Sequence, residues 1–159
     1  MRVEVPVRRG TRPRTTPDNP HMQLDQQPED PSVREELARR VFALAEVEER
    51  PSGISVPGAR ALCLVSSAPT GPDSAFMIDR EFAHLHPDPD MSLHLTLPPE
   101  LGEEAVAAGW AELHPVARQG MIPPTAFMVF APRDDSELEV VRGFVEASHA
   151  FARGTATPP

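Results

Sequence analysis

The stretch Arg80–Leu95, REFAHLHPDPDMSLHL, holds three of the chain's six histidines, at His84, His86 and His94. Two alternating runs flank a Pro/Asp loop, and alternation with period two marks a strand with one apolar face. Phe82, His84 and His86 then point to one side of the first strand, Ala83 and Leu85 to the other. In the second strand Leu93, Leu95 and Leu97 share one face, and Ser92, His94 and Thr96 share the other. The loop Pro87–Met91 closes a hairpin in which His84 faces His94 and His86 faces Ser92. That register gathers the leucines on one side and all three histidines on the other. A slip of one residue would mix the two faces, so the apolar pattern selects this pairing.

Opposed residues in such a pair have Cβ atoms about 4.5–5.5 Å apart. Two imidazolium charges roughly 5.5 Å apart repel by about 3 kcal/mol at an effective dielectric near 20. Under partial cover at least one ring stays neutral, and a neutral imidazole serves as a base or a metal ligand. Three readings of this face follow. It is a solvated polar surface, a three-imidazole metal site, or the floor of a pocket using histidine as acid or base. With no cysteine nearby and no evident fourth ligand, no tightly bound metal is expected.

Around the hairpin, the chain sorts into elements. SVREELARRVFALAEVEER (32–50) has helical spacing at Val33, Leu37, Val41, Leu44 and Val47, a capping box at Ser32 and Glu35, and a stop at Pro51 and Gly53. ARALCLVSS reads as a buried strand, AFMI as a strand turning at Asp79-Arg80, and PPELGEEAVAAGW as a helix begun by proline and ended by Gly109. AELHPVARQGMIPP reads as a loop, TAFMVFAP as a strand covered on both faces, and RDDSELEVVRGFVEASHAFARG as the closing helix. Short strand-to-strand loops imply antiparallel pairing. The expected fold is α+β: an antiparallel sheet of four to five strands, with about three helices largely on one face, plus an extended N-terminal arm. The expected divisions are the arm at 1–31, one domain at 32–153 and a flexible tail at 154–159.

Composition narrows the chemistry. The 159 residues include 20 prolines, no lysine and no tyrosine, so all 15 positive side chains are arginine. Lysine-dependent phosphate loops, Schiff-base lysines and tyrosine catalysis are excluded. Acid–base work falls to His, Asp, Glu or Cys63. A net charge of −9 disfavours nucleic acid and anionic membrane as partners. The lone Cys63 forms no intrachain disulfide, which suits a cytoplasmic protein, and it reads as an inert buried thiol. Residues 1–14 carry five Arg against one Glu, +4, leaving −13 for the rest. That segment is either a basic tail or an arm folded back onto its own acidic body.

The ordered set REFAHLHPDPDMSLHLTL, GWAELHP and PPTAFMVFAPRDDSELEVV, with VPVRRGTRP and MQLDQ before it, resembles the fungal luciferase domain family from about Val5 to Phe151. The resemblance implies a docked arm and an oxidative enzyme. Fungal members oxidise a hydroxylated styryl-pyrone with molecular oxygen, release carbon dioxide and emit light, without a known metal or flavin. His84, His86, His94 and His114 fall on the family's matching positions and are the candidate bases for an enolic hydroxyl. Arg80, Trp110 and Arg133 are candidates for substrate contact. The chain is shorter than the fungal enzymes and lacks their membrane-anchoring N-terminal segment, so a small bacterial-type member is expected. The implied activity is a cofactor-independent oxygenase-like reaction on a small enolic or phenolic compound, with molecular oxygen as co-substrate. A non-catalytic small-molecule-binding protein and a His-ligated metal enzyme are the alternatives.

Overall fold

The computed structural model describes residues 5–120 and 122–155. Its strands are β1 (Val47–Pro51), β2 (Arg60–Leu64), β3 (Glu81–Leu85), β4 (Leu93–Thr96), β5 (Ala111–Leu113) and β6 (Ala126–Val129). The helices are α1 (Ser32–Val41), α2 (Pro99–Ala107), the single turn α3 (Pro115–Arg118) and α4 (Asp135–Arg153). The strands form one antiparallel sheet in the order β1-β2-β3-β4-β6-β5. This is the expected α+β class, with six strands where four to five were expected and four helices where about three were.

The hairpin register is the one that the leucine pattern selects: Ala83 opposes Leu95, His84 opposes His94, and Leu85 opposes Leu93. Leu93, Leu95 and Leu97 join one core with Leu37 and Val41 of α1 and with Leu138, Val141, Phe144 and Val145 of α4. Burying each such side chain contributes roughly 1.5–3 kcal/mol. Helix α4 starts with the Asp134 side chain accepting from Glu137 N and ends at Gly154 with φ +77°, a left-handed backbone that glycine adopts without strain. In α2, Gly102 lies against the Phe127 ring, where a Cβ would sit 2.3 Å from a ring carbon. Strand β6 is buried on both faces and lies between β4 and β5, as its unbroken apolar run implied.

Several expectations change. The first helix stops at Val41, and Ser32 does not cap it: Pro31 takes the cap position, while Asp30 Oδ1 accepts from Ser32 N at 2.9 Å. Glu46 turns the chain at φ +63°, and Val47–Pro51 pairs along the whole of β2. The ladder and the packing of Leu44 and Val47 against the core outweigh the helical spacing, a weaker local preference. AFMI is no strand: Asp73–Ala75 is a 3-10 turn, and only Ile78 bridges Glu81 across the Asp79-Arg80 turn. Ala111–Leu113, read as loop, is the edge strand β5.

The alternation in β3 also breaks once. Leu62 opposes Ala83, yet Cys63 opposes Glu81, so Phe82 is an extra residue in the ladder. This bulge sends Phe82 into the leucine-side core, 5.9 Å from the His149 ring of α4, instead of onto the histidine face.

Residues 5–31 run over the histidine side and the sheet edge. Trp110 Nε1 donates to Pro6 O at 2.5 Å, and Arg8 N donates to Ala108 O at 2.9 Å. Arg9 pairs with Asp134 at 2.7 Å and Arg12 with Glu112 at 2.6 Å. Thr15 bridges Gln23, and the loop between them carries His21 inward. The tail at 154–159 lies mostly outside the described residues; Gly154 and Thr155 still bond back to α4.

Candidate functional site

One row of residues crosses the sheet from β1 to β5: Arg50, Ala61, His84, His94, Met128 and Glu112. On antiparallel strands, directly opposed residues share a face. His84 and His94 therefore stand side by side, and Glu112 stands one strand beyond Met128. His86 follows β3, its amide bonded to Ser92 O at 3.2 Å. His114 follows β5 in an extended conformation, two residues past Glu112 and on the same face. The arm brings in His21, with its Nδ1 2.9 Å from His94 Nε2 and its Nε2 3.4 Å from Glu112 Oε1. Five histidines thus form one buried cluster, each 7% exposed or less.

Ring contacts are close. His94 lies 4.4 Å from His114, 4.5 Å from His86, 5.0 Å from His21 and 5.1 Å from His84, centroid to centroid. Its Nδ1 is 3.1 Å from His84 Nε2 and 2.9 Å from His86 Nε2. Behind the rings stand carboxylates. His84 Nδ1 is 2.7 Å from Glu81 Oε2. His86 Nδ1 is 3.0 Å from Ser92 Oγ, which donates to Asp90 Oδ1 at 2.6 Å. His114 Nδ1 accepts from Val116 N at 3.0 Å, so a neutral His114 carries its proton on Nε2.

These surroundings set the charge states. Burial, then the neighbouring rings, pushes His86 and His94 well below the usual imidazole value, so both are neutral at pH 7. Burial and His21 bring His114 down to about 4. Burial pulls the Glu81 carboxyl upward, but bonds from His84, Ser52 and Gly53 outweigh it and hold it below its usual value. Burial acts the same way on Glu112, yet His21, Thr15 and Arg12 bring it down to about 2. Burial pushes Asp90 up. Buried Cys63, with Glu81 near, is raised to about 11 and stays a thiol.

All five histidines line a cavity of about 400 Å³. Met22, Ile54, Val56, Met77, Val116 and Ile122 supply its apolar walls. That volume lies within the common range for small-molecule sites. A neutral imidazole facing such a cavity can take a proton from a ligand hydroxyl or coordinate a cation.

The four histidines singled out on the sequence all reach this cavity. The other three candidates do not. Arg80 donates to Ser66 O and Ala68 O beyond the β2–β3 edge of the cluster. Trp110 is buried in the leucine-side core, 6.5 Å from Phe144. Arg133 is held by Glu137 at 2.5 Å and by Arg9 O at 2.8 Å. Sequence reasoning missed His21, Glu81, Asp90 and Glu112. The period-two spacing of Glu112 and His114 was a signal for the last. For His21, inside a proline-rich arm, the local sequence offered none.

Residues 79–148 match the model of the family described as the Luciferase domain. The chain is 34% identical over 164 residues to the luciferases of Armillaria ostoyae and Armillaria gallica, covering 93% of this chain and 61% of each of those proteins. Against the luciferase of Neonothopanus nambi it is 31% identical over 163 residues, 94% of this chain and 61% of that protein. The chain thus spans about three fifths of the length of these relatives. The resemblance read from its motifs is matched by these luciferases over most of the chain and by the family model over residues 79–148. These relatives are fungal, which sets aside the bacterial-type kinship expected from the short chain. No solved structure matches significantly.

Proposed function

We propose that this protein is an oxygenase-type enzyme that takes a small enolic or phenolic compound into the histidine cavity. The likeness to luciferases supports the oxygenase class. The observation that carries the site assignment is the meeting of His84 Nε2, His86 Nε2 and His94 Nδ1 among rings that line one cavity. An imidazole lone pair there takes the hydroxyl proton, giving an imidazolium and an enolate or phenolate. The electron-rich anion is then the species that meets molecular oxygen. His114, with its Nε2–H free of the Val116 bond, is placed to donate a hydrogen bond to the anionic oxygen. This reading uses oxygen as co-substrate and no organic cofactor. The charge of −9 and the buried lone thiol support a cytoplasmic protein whose partner is a small molecule, not nucleic acid or membrane. Among the described residues no helix is long and apolar enough to cross a membrane.

Oxygen uptake with a panel of hydroxypyrones and catechols tests the reading. Turnover of one class, lost in His94→Ala, is the expected result. Saturable binding of such a compound without any oxygen uptake would replace the enzyme by a binding protein.

A further inference from the structure

We infer that His84, His86 and His94 form a site for one divalent first-row transition-metal ion in the wall of the cavity. The site rests on three ring nitrogens that converge with carboxylates behind them, and it goes beyond the acid–base reading: an ion held there would take the lone pairs that reading uses and would itself draw the proton from a ligand hydroxyl.

Each neutral imidazole carries one N–H. The His84 proton belongs on Nδ1, because Glu81 Oε2, 2.7 Å away, only accepts. The His86 proton also belongs on Nδ1, because Ser92 Oγ gives its own hydrogen to Asp90 and accepts from the ring. Both Nε2 atoms therefore turn lone pairs toward His94 Nδ1, 3.1 and 2.9 Å away. His94 has two choices. With its proton on Nδ1, it serves these acceptors, and its Nε2 accepts from His21 Nδ1–H. His21 Nε2 then faces Glu112 Oε1 with no proton between them, and that buried oxygen has no hydrogen bond of its own. With its proton on Nε2, the relay from His94 through His21 to Glu112 is complete, but three lone pairs meet at one point. No placement of one proton per ring satisfies both ends. Either one further proton on His21 or a cation at the meeting point does, and metal titration tells the two apart.

The geometry suits a metal. Ions of this type bind imidazole nitrogen at about 2.0–2.1 Å, so two ligands lie roughly 2.9 Å apart at a right angle and roughly 3.3 Å apart at the tetrahedral angle. The observed 2.9 and 3.1 Å lie between these two values, toward the right-angle one. Each ligand ring ends in a carboxylate: His84 in Glu81, His86 in Asp90 by way of Ser92, and His94 in Glu112 by way of His21. Such backing fixes the tautomer and raises ligand basicity, and here it also offsets the charge of the ion. An all-imidazole set selects zinc, copper, iron or nickel over magnesium or calcium. The lack of a fourth side-chain ligand argued against a metal on the sequence; in the structure it leaves positions open to the cavity. The other close trio, His21, His94 and His114, is not a site. His21 and His94 share one proton across 2.9 Å, and His114 Nδ1 is taken by Val116 N.

The test is titration of chelator-stripped protein with cobalt(II), followed by visible absorption and calorimetry, with circular dichroism to monitor the fold. One equivalent should bind. Affinity should fall by at least about 100-fold in His86→Ala and by about 10–100-fold in Glu81→Gln. It should stay within about threefold of wild type in His114→Ala and His149→Ala. If alanine at position 86 unfolds the protein, His86→Asn is read instead. Failure of the wild type to bind one equivalent, or undiminished binding by a folded position-86 variant, overturns the site. Oxygen uptake is followed in parallel. Full uptake by stripped protein that binds no cobalt removes the metal site and leaves the acid–base reading. Tight cobalt binding with no uptake in any metal form leaves the site and removes the oxygenase reading.

Discussion

Glu81 Oε2 lies 2.7 Å from His84 Nδ1 although the two residues stand three apart on one strand. In a regular strand that spacing puts them on opposite faces. The extra residue Phe82 cancels the difference, so a bulge places the carboxylate that orients the ring. Bulges beside active sites commonly re-aim a side chain in this way.

Removing that carboxylate should be costly in two ways. Glu81→Ala leaves His84 Nδ1, Ser52 Oγ and Gly53 N without the acceptor they share. Buried groups left unpaired cost about 1–3 kcal/mol each. Chemical denaturation should show a loss of about 3 kcal/mol. Glu81→Gln, which keeps an acceptor, should lose less than half as much.

The two faces of the hairpin should separate stability from activity. Leu95 is fully buried in the leucine core, and Leu95→Ala should cost about 2–5 kcal/mol. His94→Ala removes a ring that lines the cavity, so it should cost less than half of that while abolishing turnover. Thermal melts of the two variants beside activity assays decide this. Equal melting losses would make the histidine a packing residue.

Acid should destabilise the metal-free protein in two separate windows. The folded His114 pKa, about 4, lies below the unfolded value near 6.5. Between these values the unfolded chain binds a proton that the folded one refuses, so stability falls as pH drops from about 6.5 to 4. His86 and His94 shift the same way and add to the loss. At about 1.4 kcal/mol per pH unit, His114 alone contributes on the order of 3 kcal/mol. Glu112, held at about 2, adds a second loss as pH falls from about 4.5 toward 2. Denaturation midpoints measured against pH should be shallower above pH 4 in His114→Gln, and unchanged in slope if the ring is not buried.

The arm should exchange slowly at particular amides. Arg8 N, Thr16 N and Leu24 N donate to Ala108 O, Met22 O and Arg14 O. Hydrogen exchange at these positions should be slowed by at least about 100-fold against a free peptide, as expected for a segment that opens only locally. Free-peptide rates throughout would mean that His21 does not stay beside His94 in solution.

The sequence by itself determined the centre of this protein. The leucines of Leu93–Leu97 set the register that pairs His84 with His94, because a one-residue slip would expose them all. The caps of α4 and the doubly buried β6 were likewise legible, since each follows from side chains within a few residues. Tertiary structure decided the rest. The bulge at Phe82 depends on how β2 meets β3. The strand at Val47–Pro51 exists because β2 offers it a ladder. His21 reaches His94 across 73 residues of chain, and Glu112 takes its place only when β5 closes the sheet edge. Local periodicity encodes which face a residue turns to, but the partner it finds there is fixed by contacts that short-range patterns do not record.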